Sequence, residues 1–321
     1  MWSWMGGLAA AALLLARPEA AADGARAAMA QWYHAVAPSL FPFMALLPLL
    51  TCDAAGAAYE KLLGGLTRRL YRLPGAAAPA LAAGMLGGSP AGCAAARRVA
   101  ANGGMTRGEL QRLAIACCGL SPAFCISGIG AAMLQSPALG HRLLRAQVAT
   151  QLLMPILLMP FCRDDAPAPP VEDVARSTPV LSILNVCGWM ALFGAMAAAL
   201  GDLLGDGWGK ACLCLMDVTS GARVIASAAL PVDVKVAALA ALTGFGGLCV
   251  CAQNLSLLRG VVRPAAFVAA RVGAGLLTAG FAALQTIEPP LQADPSPLHI
   301  SCLCACVLLV PAMIKLGRTI F

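Results

Sequence analysis

Charged side chains are scarce in this chain, and their scarcity excludes most soluble folds. Only 12% of the 321 residues are charged and 60% are hydrophobic, with a mean hydropathy of +0.79. A soluble domain of ordinary composition has about 25% charged and 45–50% apolar residues. Because membrane-spanning helices need long apolar runs, the composition predicts a polytopic α-helical membrane protein.

Aromatic residues are also rare, and this bears on the partners of the basic residues. The net charge is +7, but only 5% of the residues are aromatic, and the basic residues have no aromatic stacking partners beside them. We therefore expect no nucleic acid as a partner. The lipid bilayer is the expected partner instead, with Lys and Arg gathered on its cytoplasmic side.

Constellations of catalytic or metal-binding residues are missing too. The 14 cysteines lie in apolar runs with almost no His or carboxylate nearby, so we interpret them as packing residues rather than metal ligands. The three histidines, His34, His141 and His299, lie near predicted segment ends and receive no role. Without a catalytic triad or a phosphate-binding loop, we expect neither an enzyme nor a primary pump, and no cofactor.

The most informative segment spans residues 74–99. Its middle, Gly87-Gly88-Ser89-Pro90-Ala91-Gly92, cannot continue a helix, because glycine loses backbone order and proline lacks a donor. Each flanking arm is much shorter than the roughly 20 residues that a crossing helix needs. The pattern predicts a re-entrant hairpin. Irregular backbone at membrane depth must be covered by protein or line a cavity, so this hairpin is a candidate binding site.

The rest of the chain falls into two similar halves. The chain is predicted to begin with a peripheral helix and loop at 1–34. A first repeat at 35–161 then has a crossing, an interfacial helix at 59–73, the hairpin 74–99 and two crossings. After a linker at 162–179, a second repeat at 180–285 has a crossing, a hairpin at 208–235 and two crossings, and a loop and C-terminal helix follow at 286–321. Ala20-Ala21-Ala22 also resembles a signal-peptide cleavage site, although no positive n-region precedes it.

The two halves are related by landmarks at near-constant spacing. Gly92 and Gly221, Gly119 and Gly246, and Arg145 and Arg271 are separated by 129, 127 and 126 residues. If both hairpins are re-entrant, each repeat has three crossings, and an odd number inverts the second copy. The predicted fold is therefore an all-α integral membrane inverted-repeat transporter with two re-entrant hairpins and broken helices. Both termini are then cytoplasmic if the N-terminal helix is retained.

Four motifs, taken in order, resemble the signatures of a known family. They are Gly88-Ser89-Pro90-Ala91-Gly92, Ser121-Pro122-Ala123-Phe124, Asp217-Val218-Thr219-Ser220-Gly221 and Gly246-Gly247-Leu248-Cys249-Val250-Cys251-Ala252-Gln253. In these motifs the chain resembles the YlbJ-type sporulation integral membrane proteins, also called SpoVV, which carry the nucleoside-recognition or Gate domain. The resemblance covers about residues 39–284.

The resemblance implies a location, a substrate and a scaffold. The implied location is the outer forespore membrane, and the implied substrate is dipicolinic acid, which moves from the mother cell toward the forespore. The implied scaffold is similar to that of concentrative nucleoside transporters. The chain departs from the family's usual residues at several motif positions, which leaves the exact substrate open. The departures are Ser89, Ala94, Asp217, Ser220 and Cys251.

Polar residues at the four breaks form the predicted substrate site. Asp217 and Arg223 flank the second turn within an apolar stretch, where an unpaired charge costs several kcal/mol. In one interpretation Arg223 meets a substrate carboxylate while Asp217 takes a coupling Na⁺ or proton; in the other the two form only a structural ion pair. The remaining candidates are Gly88, Ser89, Gly92, Ser121, Thr219, Ser220, Gly221, Gln253 and Asn254.

The predicted function is transport of a small anionic solute. A carrier of nucleoside-like or other solutes remains an alternative, as does a non-transporting subunit that assembles or gates a partner, and a homo-oligomer is left open. Four other basic residues are interpreted as headgroup anchors rather than as part of the site. They are Arg97, Arg98, Arg145 and Arg271.

Overall fold

The described part of the chain is helical. The computed structural model describes residues 2–50, 52–169 and 178–285, and within these ranges it contains helices and turns but no strand. The predicted C-terminal helix at 299–314, with the rest of 286–321, lies outside the described residues, as do residues 170–177 of the predicted linker. The all-α prediction is confirmed for the described residues.

Fourteen α-helices occur among the described residues. They are α1 Trp2–Ala16, α2 Pro18–Gln31, α3 Ala37–Leu50, α4 Asp53–Leu66, α5 Ala78–Gly87, α6 Ala91–Ala101, α7 Arg107–Ala116, α8 Pro137–Leu157, α9 Pro179–Leu204, α10 Asp206–Met216, α11 Val218–Ser227, α12 Val232–Phe245, α13 Gly247–Leu257 and α14 Pro264–Leu284. Wider π-helical turns at Trp32–Val36, Thr67–Tyr71 and Phe124–Met133 join or extend these helices.

Three helical stretches in the described ranges are long and apolar enough to cross a membrane. They are α9, α14 and the 26-residue stretch Val232–Leu257 that combines α12 and α13. Among the crossings predicted for the first half, α3 has only 14 described residues, and the 21-residue α8 carries Arg142 and Arg145. Neither is among the three.

The N-terminal region differs from the prediction. Residues 18–31 form the helix α2 rather than a loop, and α2 packs along α9. The alanine-rich sequence favours a helix, and its small residues let the two backbones approach closely. A Cβ atom on Gly24 would collide with the carbonyl group of Gly194. The helix continues through Trp32, whose indole Nε1 donates to the Ile183 carbonyl at 3.1 Å.

Both predicted hairpins are pairs of short helices joined by a tight turn. In the first, α5 and α6 have 10 and 11 residues and pack against each other on either side of Gly88–Pro90. In the second, α10 and α11 are separated by Asp217 alone. Two further breaks lie where glycine and proline predicted them: between α7 and Phe124–Met133, and at Gly246, whose φ is +89°.

The hairpins pack across the two halves of the chain. The second arm of the first hairpin, α6, contacts the second broken helix at α13, and the second arm of the second hairpin, α11, contacts the π-helical stretch Phe124–Met133. Each hairpin also contacts the broken helix of its own half, through α6 with α7 and α11 with α12. All four breaks therefore come together in the core.

A buried arginine ties the segment before the first hairpin to the helix after it. Arg112, in the middle of α7, donates through Nη1 to the Tyr71 carbonyl at 2.7 Å and through Nη2 to the Arg72 carbonyl at 3.2 Å. A capping box begins α7: the Glu109 amide donates to Thr106 Oγ1 and the Thr106 amide to Glu109 Oε2. The chain thus enters and leaves the hairpin at neighbouring points.

Candidate functional site

The four breaks enclose a small cavity. Its volume is about 40 Å³, and five of the predicted site residues line it: Ser89, Ser121, Asp217, Thr219 and Gln253. Apolar side chains from α3, α9 and the first broken helix complete the wall. A water molecule needs at least roughly 10–15 Å³, whereas a drug-sized ligand occupies a pocket of about 300–1,000 Å³. At this volume, the cavity between the breaks has room for small species only.

Asp217 supplies the acidic group of the cavity. Its side chain is only 2% exposed, and it begins α11 as the N-cap residue, with Oδ2 accepting a hydrogen bond from the Ser220 amide at 2.7 Å. Aspartate is favoured at this position because its oxygen satisfies a free amide and its charge meets the positive helix end. No Lys or Arg of the described ranges forms an ion pair with it. The cavity therefore contains a fixed hydrogen-bond acceptor.

Arg223 does not join this site, and the predicted ion pair with Asp217 is absent from the described structure. The Arg223 side chain is exposed and does not line the cavity. The reason is helical geometry: six residues along a helix turn by about 600°, which places the arginine on a different face from the N-cap. The interpretation as a structural ion pair is therefore wrong for the described structure.

Two side-chain amides in the site have unused donors. Gln253 is 3% exposed and Asn254 is fully buried, and neither Gln253 Nε2 nor Asn254 Nδ2 has a hydrogen-bond partner in the described structure. Ser89 Oγ, at the tip of the first hairpin, donates to Asn254 Oδ1 in the second broken helix. A buried donor without a partner costs about 1–3 kcal/mol, so these amides favour a ligand that carries acceptor oxygens.

Two predicted site serines stabilise the helices around the cavity. Ser121, which also lines the cavity, accepts a hydrogen bond through Oγ from the Phe124 amide at 3.2 Å and so begins the helix after the first break. Ser220 Oγ donates to Gln31 Oε1 at 3.1 Å and ties the second hairpin to α2.

The three glycines of the predicted site, Gly88, Gly92 and Gly221, lie where neighbouring backbone segments approach closely. A Cβ atom on Gly92 would collide with the Cys117 carbonyl, and one on Gly221 would lie 2.7 Å from Cys214 Cα. Gly88 combines a φ of +64° with the same crowding against Ser121. Gly88 and Gly92 therefore permit the first hairpin to close on the first broken helix, and Gly221 permits the two arms of the second hairpin to approach each other.

One basic residue was assigned the wrong role from the sequence. Arg271 is buried in α14 with 2% exposure, whereas its match Arg145 is exposed and donates to Gln285 Oε1 at 3.1 Å. The anchoring interpretation is therefore wrong for Arg271. Its place in the eighth position of a 21-residue apolar helix was the available signal, because a charge inside a crossing segment is a functional candidate by default.

Comparisons with known proteins support the resemblance. No family model matches the chain, and no solved structure matches it. The sporulation integral membrane protein YlbJ of Bacillus subtilis strain 168 is 26% identical over 175 residues, which are 52% of this chain and 43% of that protein. The match therefore spans less than half of the relative's length. Together with the apolar helices, it identifies an integral membrane protein similar to the YlbJ-type sporulation proteins, as the four motifs predicted.

Proposed function

We propose that this protein is a secondary transporter or facilitator of a small anionic metabolite, with dipicolinic acid as the first candidate. The observation that carries the proposal is the meeting of four helix breaks around one small cavity, into which each break contributes a polar side chain. Secondary transporters build their sites from such broken helices near the bilayer midplane. The family resemblance supplies the candidate substrate and the outer forespore membrane as the proposed location.

The proposal includes two re-entrant hairpins in an inverted repeat. Support comes from Arg112, which bonds the two carbonyls just before the first hairpin although it belongs to the helix after it. If both flanks of the hairpin share a face, their basic residues satisfy the positive-inside rule together. Three crossings per half then follow, with α3 and α8 spanning the membrane as well.

We expect cysteine labelling to place both flanks of the first hairpin on the cytoplasmic face. The probes are Arg69→Cys and Asn102→Cys, two exposed positions, in a Cys52→Ser background. Both should react with a membrane-impermeant maleimide in inside-out vesicles and stay unlabelled in right-side-out vesicles, with the background protein as the blank. Reaction from opposite faces would contradict the inverted repeat.

Asp217 requires that an anionic substrate travel with a cation. A buried carboxylate repels a second negative charge in a medium of low dielectric constant, whereas a bound Na⁺ or a proton removes the repulsion. We therefore propose coupling to one of these ions. The small closed cavity fits an occluded form without substrate, which opens by movement of a hairpin.

The second candidate substrate is a neutral polar solute such as a nucleoside, which the carboxylate of Asp217 would not repel. Apart from Asp217, the polar residues of the cavity are uncharged, and hydroxyl and amide groups suit neutral ligands. The alternatives separate in liposomes that contain the purified protein. Labelled dipicolinate and uridine are offered under a Na⁺ gradient, a proton gradient or neither, with protein-free liposomes as the control.

Each outcome assigns a function. Accumulation of dipicolinate supports the proposal, and the gradient it requires names the coupling ion. Uptake of uridine alone supports the neutral-solute alternative. If neither solute is taken up although the protein is shown to be in the liposomes, the assignment as a transporter of these solutes is contradicted. The remaining candidate is then a non-transporting subunit that assembles or gates a partner.

A further inference from the structure

Arg271 is a buried cation at the second helix break. Its guanidinium Nε donates to the Phe245 carbonyl at 3.1 Å, and a Cβ atom on Gly246 would lie 3.4 Å from Nη2. Phe245 is the last residue of α12, so the arginine meets a carbonyl at the negative end of that helix. This contact stabilises the break but uses only one of the five guanidinium N–H groups.

The charge of Arg271 is not neutralised within the described structure. Nη2 is buried without a hydrogen-bond partner, and no carboxylate of the described ranges forms an ion pair with Arg271. The Cys251 thiol lies beside it, because Cys251 Sγ also donates to the Phe245 carbonyl, at 3.9 Å. Arginine stays protonated in proteins, and a buried charge without a partner is costly. The unused donor therefore suits an anionic ligand.

Arg271 and Asp217 border the same break from two sides. A Cβ atom on Gly247 would lie 3.0 Å from the Val218 amide and 3.3 Å from Asp217 Cα, while the preceding Gly246 borders Arg271. Cys93, which follows Gly92 in the first hairpin, packs in the same buried cluster as Cys251 and Ala270. A movement of that hairpin or of the Gly246–Gly247 turn therefore changes the surroundings of the guanidinium and of the cavity together.

We propose that Arg271, rather than Arg223, is the anion-binding residue of this transporter and meets a substrate carboxylate when the second break opens. The inference rests on the proposed function and adds the residue that meets the carboxylate of its anionic substrate. In the described structure, Nε of the guanidinium is bonded to the Phe245 carbonyl, while Nη2 has no partner and is the nitrogen that would meet the ligand.

Arg112 provides a matched control. Like Arg271, it is buried, at 6% exposure, has one unpartnered nitrogen, Nε, and does not line the central cavity. Unlike Arg271, it has both terminal nitrogens bonded to carbonyls at the end of the interfacial segment. Arg112→Gln should lower thermal stability and leave the affinity for an anion unchanged. Arg223→Gln is a second control for an exposed arginine on α11.

The experiment measures binding by thermal stabilisation of the purified protein in detergent. The ligands are dipicolinate and its neutral dimethyl ester, and the variants are Arg271→Gln, Arg112→Gln and Arg223→Gln. We expect Arg271→Gln to bind dipicolinate roughly tenfold or more weakly, because a charge-assisted hydrogen bond is lost. Binding of the ester, where it occurs, should change little.

A second variant keeps the test decisive if Arg271→Gln does not accumulate. Cys251→Asp places a carboxylate beside Arg271, so it should neutralise the buried charge, fold, and compete with the substrate anion for the guanidinium. Dipicolinate binding at wild-type strength in either folded variant overturns the inference. Failure of the wild-type protein to bind any of the ligands or to take up dipicolinate overturns the proposed function itself, so the two failures are distinguishable.

Discussion

Replacement of Gly92 by valine should abolish uptake. Gly92 lies in the first turn of α6, where an added Cβ would collide with the Cys117 carbonyl on one side and lie 2.5 Å from Gly84 Cα on the other. Both obstacles are backbone atoms, which cannot turn aside as a flexible side chain can. Overpacking of this kind typically costs about 1–3 kcal/mol, and here it also forces the hairpin away from the first broken helix.

The measurement is uptake per molecule of reconstituted protein, together with thermal melting and membrane abundance. Gly65→Val is the control, because Gly65 lies in α4 and a Cβ atom added there would meet no other atom within 4 Å, so it tests the effect of valine in a helix by itself. We expect Gly65→Val to retain uptake. Full uptake by Gly92→Val at normal abundance would show that the close contact between α6 and Cys117 is not needed for activity.

Replacement of Asp217 by asparagine should separate its two roles. Asparagine caps a helix about as well as aspartate, so the folded protein should accumulate normally, whereas Asp217→Ala should lose about 0.5–2 kcal/mol with the cap. If the carboxylate binds the coupling ion, both variants lose gradient-driven uptake by on the order of tenfold or more. If Asp217 is only a cap, Asp217→Asn keeps its uptake.

A surface aspartate provides the control for this experiment. Asp233 forms an ion pair with Arg142 at 3.1 Å, and its side chain is 68% exposed. Exposed ion pairs contribute little, roughly 0–1 kcal/mol, so Asp233→Asn should retain both stability and uptake. The experiment compares the Na⁺ and proton dependence of uptake in the four proteins. Wild-type dependence in Asp217→Asn would assign ion coupling to another group.

The sequence by itself determined the membrane class and the positions of the breaks. Both follow from local chemistry: apolar runs need lipid or a core, and a helix stops where glycine, proline or a capping side chain disfavours the next hydrogen bond. The turn at Gly88–Pro90 and the break at Asp217 could therefore be predicted from a few adjacent residues.

Only the tertiary structure decided which side chains meet. Ser89 and Asn254 are 165 residues apart in sequence but hydrogen-bonded, and residues 18–31 are helical where a loop was expected and pack along α9. The two arginines show the same limit: Arg223 was placed in the site and is exposed, whereas Arg271 was interpreted as an anchor and is buried at the second break. The physical reason is that burial depends on the rotation of each helix against distant neighbours, which a local pattern does not contain.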